Sequence, residues 1–291
     1  MTKKNIFLDI DKTILNVFYE MTDQSLPKQI RTMIAKGWQI GLNSDSPNTR
    51  IQRVAQEIGT NGLIIAEKGN AIYHPTNKSP AWDRYIIKNT FSYILPSFIQ
   101  GIREELEYLK NQFPYISIVL EDPYYGLHVL RHHPANINAG WCIMIHIDRK
   151  YSISLFVKHF LTSGGCIYDE SCENLLSTLV SHIRSVSTEH NYSTIVTETS
   201  EEYGNMLVHD RSSHKALAID QILTTEAYEI DQIFMIGDSI SDFLDRDQVV
   251  QLGVGNSTDQ YKEKCTFVAK SDISTGANEC LKWIDENFTP E

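Results

Sequence analysis

Short apolar runs alternate with amphipathic stretches over the first 72 residues. Three apolar runs have the length of strands: residues 5–10, 38–43 and 62–66. Two stretches between them have helical spacing of their apolar positions: residues 26–36 and 48–58. This order of strand, helix, strand, helix, strand predicts a parallel sheet with helices packed on its faces.

The same alternation returns near the C-terminus. Helical periodicity covers residues 213–223 and 274–286, and apolar runs occupy residues 232–236, 249–254 and 266–269. The two terminal regions together predict one Rossmann-like α/β core.

The middle of the chain has a different pattern. It contains two long helical stretches and several close-set strand candidates: 92–110 and 170–189, then 115–120, 127–130, 141–147, 193–197 and 205–208. Such a pattern favours an α+β insert with an antiparallel sheet. We therefore predict a core formed by residues 1–74 and 210–291, interrupted by an inserted domain of residues 75–209, which is an ordinary domain size.

Carboxylates follow the first predicted strand in the segment FLDIDKTIL, residues 7–15. Asp9 and Asp11 are two positions apart, with Thr13 two further on. Side chains two apart on extended backbone share a face, and parallel α/β sheets bind ligands at the carboxyl ends of their strands. Both carboxylates are therefore expected to point into one site.

Other polar side chains are predicted at the same edge. Ser44 follows the second strand, Asp238 and Asp242 follow the run IFMIG, and Lys215 opens the helix before that run. An oxygen-rich cluster without thiols suits Mg²⁺, which pairs with phosphate. A carboxylate can attack phosphorus, and a second carboxyl group with a raised pKa can protonate a leaving oxygen.

The charge of the chain narrows the choice of partner. There are 37 acidic and 26 basic residues, a formal net charge of -11, which disfavours nucleic acid as a ligand. No apolar stretch has the length of a membrane span, and the five cysteines lack C-x-x-C spacing. We expect a cytoplasmic protein with reduced thiols and no membrane partner; no pattern indicates an oligomeric state.

These motifs resemble those of the haloacid dehalogenase (HAD) superfamily of phosphohydrolases. DIDKT at residues 9–13 is similar to its first motif, Ser44 to its second, Lys215 to its third and GDSISD at residues 237–242 to its fourth. The segment IIAEKGNAIYH, residues 64–74, resembles the region before the cap domain in the Cof-like, sugar-phosphatase branch. The resemblance implies that the insert is a cap that closes over the site and selects the substrate in a pocket at the core–cap junction.

The resemblance also implies roles for the residues that match. Asp9 would be the nucleophile, Asp11 the general acid and then base, Ser44 a phosphoryl hydrogen-bond donor, and Lys215 a neutralising charge. Thr13 would brace the loop. The implied Mg²⁺ ligands are Asp9, Asp11 (through its backbone carbonyl), Asp238 and Asp242, the last of which would support the metal's water shell or Lys215.

Three departures from the family pattern indicate a distant member. Lys12 stands where Gly is usual, Asp45-Ser46 replaces Gly-Arg after the second motif, and Ser241 replaces Asn. The second departure removes one expected positive group near the site.

A histidine-rich segment of the predicted cap offers a different interpretation. His128, His132 and His133 lie close together in sequence, with His146 soon after. No carboxylate or thiol completes a ligand set, so we interpret them as solvated or core histidines. A structural metal, or a substrate contact from Arg131 or His133, is the alternative.

The sequence therefore predicts a Mg²⁺-dependent phosphatase that hydrolyses a small phosphorylated metabolite, such as a sugar phosphate, through an aspartyl-phosphate on Asp9. The alternatives are a phosphomutase on the same scaffold and a catalytically silent binding protein of the same fold. Nothing in the pattern of cap residues identifies the substrate.

Overall fold

The computed structural model describes residues 3–120, 140–162, 166–189, 192–200, 204–225 and 230–290. The chain divides into two compact units. Unit 1 comprises Met1–Asp83 and Ser213–Glu291, and unit 2 comprises Arg84–Ser212.

Unit 1 is built on an eight-stranded sheet in the order β14-β13-β12-β1-β2-β3-β4-β5. Its strands are β1 (Lys3–Leu8), β2 (Gln39–Asn43), β3 (Ile64–Ala66), β4 (Ala71–Tyr73), β5 (Trp82–Asp83), β12 (Ile230–Gly237), β13 (Val249–Gly253) and β14 (Phe267–Val268). From β14 to β3 all neighbours are parallel, and the last two pairs are antiparallel. The predicted α/β fold with a parallel core sheet is confirmed.

Helices accompany this sheet, and the apolar spacing predicted all of them except the short helix Asp259–Lys262 and the 3₁₀ turn. They are α1 (Leu26–Ala35), α2 (Asn48–Ile58), α5 (Ala216–Thr224), α6 (Asp259–Lys262) and α7 (Ile273–Asn287), with a 3₁₀ turn at Ile240–Asp242. Ile6, Phe7 and Leu8 are all fully buried. Burial of consecutive residues means that both faces of the central strand are covered, as in other α/β sheets.

The division between the units falls later than the sequence pattern placed it. The prediction put the first boundary after residue 74, whereas β5 pairs with β4 and carries the sheet of unit 1 to Asp83. A two-residue strand is too short to show a period, so the sequence gives no sign of it.

Unit 2 contains a sheet in the order β10-β11-β8-β7-β6, with β9 paired to β8. The strands are β6 (Ile116–Leu120), β7 (Gly140–Ile145), β8 (Ser152–Phe160), β9 (Cys166–Ile167), β10 (Ile195–Ser200) and β11 (Asn205–Asp210). The helices are α3 (Tyr85–Gln112) and α4 (Glu170–Glu189).

Two features of unit 2 differ from the prediction. The sheet is mixed rather than antiparallel, because β6 and β7 are parallel. Parallel neighbours need a long connection, and residues 121–139 provide the length. Strand β8 was not predicted at all; its residues are almost all buried, and polar and apolar positions alternate only over its first four residues, so the period of a strand is lost in the rest.

Part of the histidine-rich prediction lies outside the described residues. The strand candidate at 127–130 and the residues His128, Arg131, His132 and His133 fall in the range that is not described. Across the described ranges, no helix has the length and apolar character that crossing a membrane requires.

Candidate active site

Strand register brings the predicted site segments to one edge of the unit 1 sheet. Leu8 of β1 is paired with Ile236 of β12 on one side and with Leu42 of β2 on the other. The residues that follow these strands therefore leave the sheet together at its carboxyl edge. Asp9 continues the pairing, since its backbone N–H donates to the carbonyl of Ile236 at 2.9 Å.

The chain turns sharply after Asp9. The N–H groups of Ile14 and Leu15 both donate to the carbonyl of Ile10, and that of Lys12 donates to Leu15. Lys12 has φ 61°, in the left-handed region that disfavours side chains with a Cβ. This geometry explains why glycine suits the position. The carbonyl of Lys12 accepts a hydrogen bond from Asn256 Nδ2 at 2.9 Å, which holds the strained turn.

Three carboxylates converge beside this turn. Asp9, Asp238 and Asp242 each offer an oxygen, and these atoms lie within 4.8 Å of one another. Among the described residues this is the one group of His, Cys, Asp or Glu close enough to share a metal ion. The donors are all oxygens, which fits a hard cation such as Mg²⁺. The side chain of Asp11 is not a member of the group.

Lys215 bridges two members of the cluster. Its Nζ donates to Asp9 Oδ1 at 2.6 Å and to Asp242 Oδ1 at 2.7 Å. All three side chains are almost completely buried, with exposed fractions of 6%, 4% and 0% for Lys215, Asp9 and Asp242. Thr13 Oγ1 lies 3.4 Å from the other oxygen of Asp9. The nucleophile candidate is thus held on both sides.

Asp242 is fixed by its own loop. Its second oxygen, Oδ2, accepts from the backbone N–H groups of Asp238 at 3.2 Å and Ser239 at 3.4 Å. A Cβ on Gly237 would collide with this carboxylate, so the glycine before Asp238 allows the loop to close. Asp242 therefore orients Lys215 and the Asp238 loop, in agreement with a supporting role.

The cluster carries more negative charge than one lysine neutralises. Burial and the nearby carboxylate of Asp242 raise the pKa of Asp238 to about 7, against the opposing charges of Lys215 and Lys12. Burial also raises the pKa of Asp9 well above its usual range, despite Lys215. Burial disfavours the charge of Lys215, but Asp242 and Asp9 outweigh it and raise its pKa. A divalent cation would relieve this repulsion between carboxylates.

A strained loop of unit 1 lies against the segment that carries Lys215. Glu67, Lys68 and Gly69 have φ of 48°, 60° and 81°. A Cβ on Gly69 would collide with the carbonyl of His214, so a side chain here would displace the backbone next to Lys215.

Asn70 ties this loop to the Lys215 segment. Its fully buried amide donates to Glu67 O at 2.6 Å and to Ser213 Oγ at 2.9 Å, and its Oδ1 lies 3.1 Å from the same hydroxyl. The loop thereby fixes the start of α5, where Lys215 stands.

Ser44 is buried at the end of β2. Its N–H donates to Ile65 O at 3.1 Å, and its hydroxyl oxygen accepts from the N–H of Ser46 at 3.2 Å. Its hydroxyl hydrogen therefore stays available as a donor. Its predicted phosphoryl contact remains a prediction.

Asp11 is held by an arginine that the sequence analysis did not single out. Arg50 Nη1 and Nη2 donate to Asp11 Oδ2 and Oδ1 at 2.9 and 2.7 Å. Arg50 stands with Ile51 and Val54 among the buried residues of α2. An arginine on the buried face of an amphipathic helix is the signal that could have revealed it.

His146, the described member of the histidine-rich set, is fully buried. Its N–H donates to Ser154 O at 2.9 Å, and its Nδ1 accepts from the N–H of Asp148 at 3.3 Å. It belongs to none of the candidate metal groups found among the described residues. These contacts agree with a core histidine.

Comparison with known proteins tests the predicted family resemblance. Residues 6–139 match the family model of haloacid dehalogenase-like hydrolases. No curated protein sequence matches the chain significantly.

Solved structures match over almost the whole chain. A haloacid dehalogenase-like hydrolase from Bacteroides thetaiotaomicron has a TM-score of 0.62 and 16% identity, covering 98% of this chain and 100% of its own. A subclass IIB sugar phosphatase has a TM-score of 0.55 and 12% identity, covering 98% and 99%. A trehalose-6-phosphate phosphatase related protein has a TM-score of 0.56 and 14% identity, covering 97% and 96%.

Identities this low establish a shared fold, and the family model adds agreement in sequence over the segment that contains Asp9, Asp11 and Ser44. The predicted resemblance to haloacid dehalogenase-like hydrolases is confirmed over residues 6–139, and the solved structures extend the shared fold to almost the whole chain.

Proposed function

We propose that this protein is a Mg²⁺-dependent phosphatase that hydrolyses a small phosphomonoester through a phosphorylated Asp9. The observation that carries the proposal is the buried Lys215, shared between Asp9 and Asp242 beside the third carboxylate, Asp238. Phosphoryl transfer needs a positioned nucleophile and preorganised charge more than any other chemistry from the protein. This cluster supplies both.

The donor set fits Mg²⁺, as its oxygen-only chemistry indicates. Asp9 and Asp238 would hold the ion, with the backbone carbonyl of Asp11 as the family resemblance implies. Asp242 would support the ion indirectly, by holding Lys215 and the Asp238 loop, since N–H donors and Lys215 occupy both of its oxygens. When bound, the ion neutralises the charge that would otherwise repel a phosphate from Asp9.

The residues of the chain account for both half-reactions. Asp9 attacks phosphorus, the bond from phosphorus to the leaving oxygen breaks, and the carboxyl group of Asp11 gives that oxygen a proton. Water then attacks the phosphorus of the aspartyl-phosphate, Asp11 takes the proton, and inorganic phosphate leaves Asp9. Lys215 stays charged throughout, while Ser44 donates to a phosphoryl oxygen.

The substrate class rests on similarity and on the presence of an insert. Two of the similar structures are a sugar phosphatase and a trehalose-6-phosphate phosphatase related protein, which supports a sugar phosphate or a similar metabolite. Unit 2 is inserted between two segments of unit 1, and we assign it the choice of substrate.

A phosphate-release screen over a panel of metabolites tests the proposal. The wild type should release phosphate with Mg²⁺ and stop with EDTA, and Asp9→Asn should be inactive. Asp259→Asn, which removes an exposed carboxylate outside the cluster, should retain activity. Release that survives EDTA or Asp9→Asn would contradict the mechanism. Transfer of the phosphate to another position of the sugar, seen in the products, would identify a phosphomutase instead.

A further inference from the structure

Arg50 is a buried arginine whose guanidinium is paired with the carboxylate of Asp11. Its side chain is only 5% exposed, yet it lies on the helix face that otherwise buries apolar residues. Removing a guanidinium from water is costly unless a partner satisfies it. The carboxylate of Asp11, whose side chain is 32% exposed, accepts both terminal nitrogens in a bidentate arrangement.

The same guanidinium reaches the segment after the second motif. Arg50 Nη1 also donates to Ser46 Oγ, four residues earlier in the chain. Ser46 stands just before Pro47, the N-cap of the helix, so this hydrogen bond brings the charge of Arg50 to the place of Ser46. Ser46 stands where the family pattern has arginine. The positive group missing from that position is therefore supplied by Arg50, four residues later in the chain.

Tyr19, a residue with strained backbone, also contacts Arg50. The Tyr19 ring lies 4.9 Å from Arg50 Cζ, within the range of a cation–π contact. Tyr19 has φ 63°, in a turn where Asn16 Oδ1 accepts the N–H groups of Phe18 at 2.8 Å and Glu20 at 3.0 Å. Strained backbone persists where surrounding structure enforces it. The turn thus holds an aromatic face against the guanidinium.

We propose that Arg50 is a positioning residue that fixes the carboxyl group of Asp11 for proton transfer to the leaving oxygen. The bidentate pair sets the plane of the carboxyl group, Ser46 fixes one terminal nitrogen, and Tyr19 restricts the guanidinium. The proposal rests on the proposed function of Asp11, and it assigns Arg50 no contact with the substrate.

The dependence of kcat/KM on the leaving group tests this role. An alkyl phosphate needs its leaving oxygen protonated, whereas p-nitrophenyl phosphate has a leaving group that departs without help. Arg50→Ala should lower kcat/KM for the alkyl ester by about 10- to 100-fold, as expected for a misplaced catalytic group. It should change the value for the aryl ester by less than about threefold, and Asp11→Asn should show the same selectivity with a larger loss.

Three further variants separate positioning from general damage. Arg50→Lys keeps the charge without the planar fork, and it should show most of the loss of kcat/KM for the alkyl ester that Arg50→Ala shows, again with little change for the aryl ester. Tyr19→Leu should show a smaller loss of kcat/KM, also confined to the alkyl ester. Added guanidinium ion should restore Arg50→Ala but not Arg50→Lys, in which the lysine side chain occupies the space. Arg53→Ala, on the exposed side of the same helix, is the matched control and should resemble the wild type.

Equal losses with both esters, or a raised KM and inhibition constant for inorganic phosphate, would overturn the proposal and make Arg50 a phosphate-binding or purely structural residue. A wild type inactive with both esters would remove the proposed function itself.

The pair itself has a readout without substrate. A double-mutant cycle of Arg50→Lys and Asp11→Asn on the melting temperature should show non-additivity of about 2–4 °C. Additive shifts would overturn the pairing even in an inactive protein.

Discussion

Two cations meet carboxylates at the same edge of the unit 1 sheet, and they do so differently. Lys215 uses one atom to contact two carboxylates, Asp9 and Asp242, in a fully buried cluster. Arg50 uses two atoms to contact one carboxylate, Asp11, which remains partly exposed. Lysine carries a compact charge, whereas arginine carries a planar fork that sets direction. Lys215 with Asp9 and Asp242, the Lys215 assembly, is therefore suited to charge neutralisation. Arg50 with Asp11, the Arg50 assembly, is suited to orientation.

The surroundings of the two carboxylates fit this division. In the proposed mechanism, Asp9, which is enclosed among like charges, needs a counter-charge before it can attack a phosphate. In the same mechanism, Asp11 needs access to the leaving oxygen and a fixed orientation, and its partial exposure would provide the access. Changes at Lys215 should therefore affect all substrates, and changes at Arg50 should depend on the leaving group.

The largest expected effect comes from removing the charge of Lys215. Lys215→Met should lower kcat by about 10²- to 10³-fold for alkyl and aryl esters alike, because the lost charge acts on the phosphoryl group and its nucleophile. The free energy of unfolding at pH 8 should fall by about 3 kcal/mol or more, since buried carboxylates lose their partner. Initial rates with both esters and chemical denaturation measure the two losses.

An exposed ion pair between a lysine and an aspartate provides the matched control. Lys36 lies 2.5 Å from Asp285, but its side chain is 50% exposed. Lys36→Met should cost at most about 1 kcal/mol, as is usual for a surface ion pair, and leave kcat unchanged. Equal effects at both lysines, or a loss at Lys215 confined to alkyl esters, would contradict the division of roles.

A smaller effect is expected from the loop that holds the Lys215 segment. Asn70→Ala removes the hydrogen bonds to Glu67 and Ser213. Unpaired buried groups should reduce stability by about 1–3 kcal/mol. Displacement of Lys215 should lower kcat by about tenfold, again equally for both esters, with little change in KM. Asn77→Ala, in an exposed turn of the same unit, should have neither effect. A normal kcat in a destabilised Asn70→Ala would show that the loop supports the fold alone.

The sequence predicted the carboxylates of the cluster better than the residues that hold the site in place. Asp9, Asp238 and Asp242 were found because carboxylates at strand ends stand out against apolar runs. Arg50 and Asn70 were missed, since their meaning lies in contacts across the fold: Arg50 reaches a residue 39 positions away, and Asn70 one 143 positions away. Strand β8 was missed because its polar–apolar alternation stops after four residues, and β5 was missed because it has only two residues.

The response of metal binding to pH separates the Lys215 assembly from the Arg50 assembly most finely. The pKa of Asp238 is raised to about 7, so below pH 7 a cation must displace a proton from this carboxyl group. Apparent Mg²⁺ affinity should fall about tenfold for each pH unit below 7 and level off above it.

The stability of the metal-free protein should move in the opposite sense. A carboxyl group with a raised pKa in the folded state favours folding while it is protonated, and this contribution is lost as the pH rises through about 7. Mg²⁺ should therefore raise the melting temperature more at pH 8 than at pH 6. Calorimetric titration and thermal melts at pH 6, 7 and 8 measure both trends.

Two variants separate the cluster from the Arg50 pair. Asp238→Asn should abolish the pH dependence of Mg²⁺ affinity together with most of the binding. Arg50→Lys should preserve that dependence, because Arg50 orients a carboxyl group whose side chain lies outside the cluster. An affinity that does not change with pH, or a trend lost equally in both variants, would show that the two assemblies act as one.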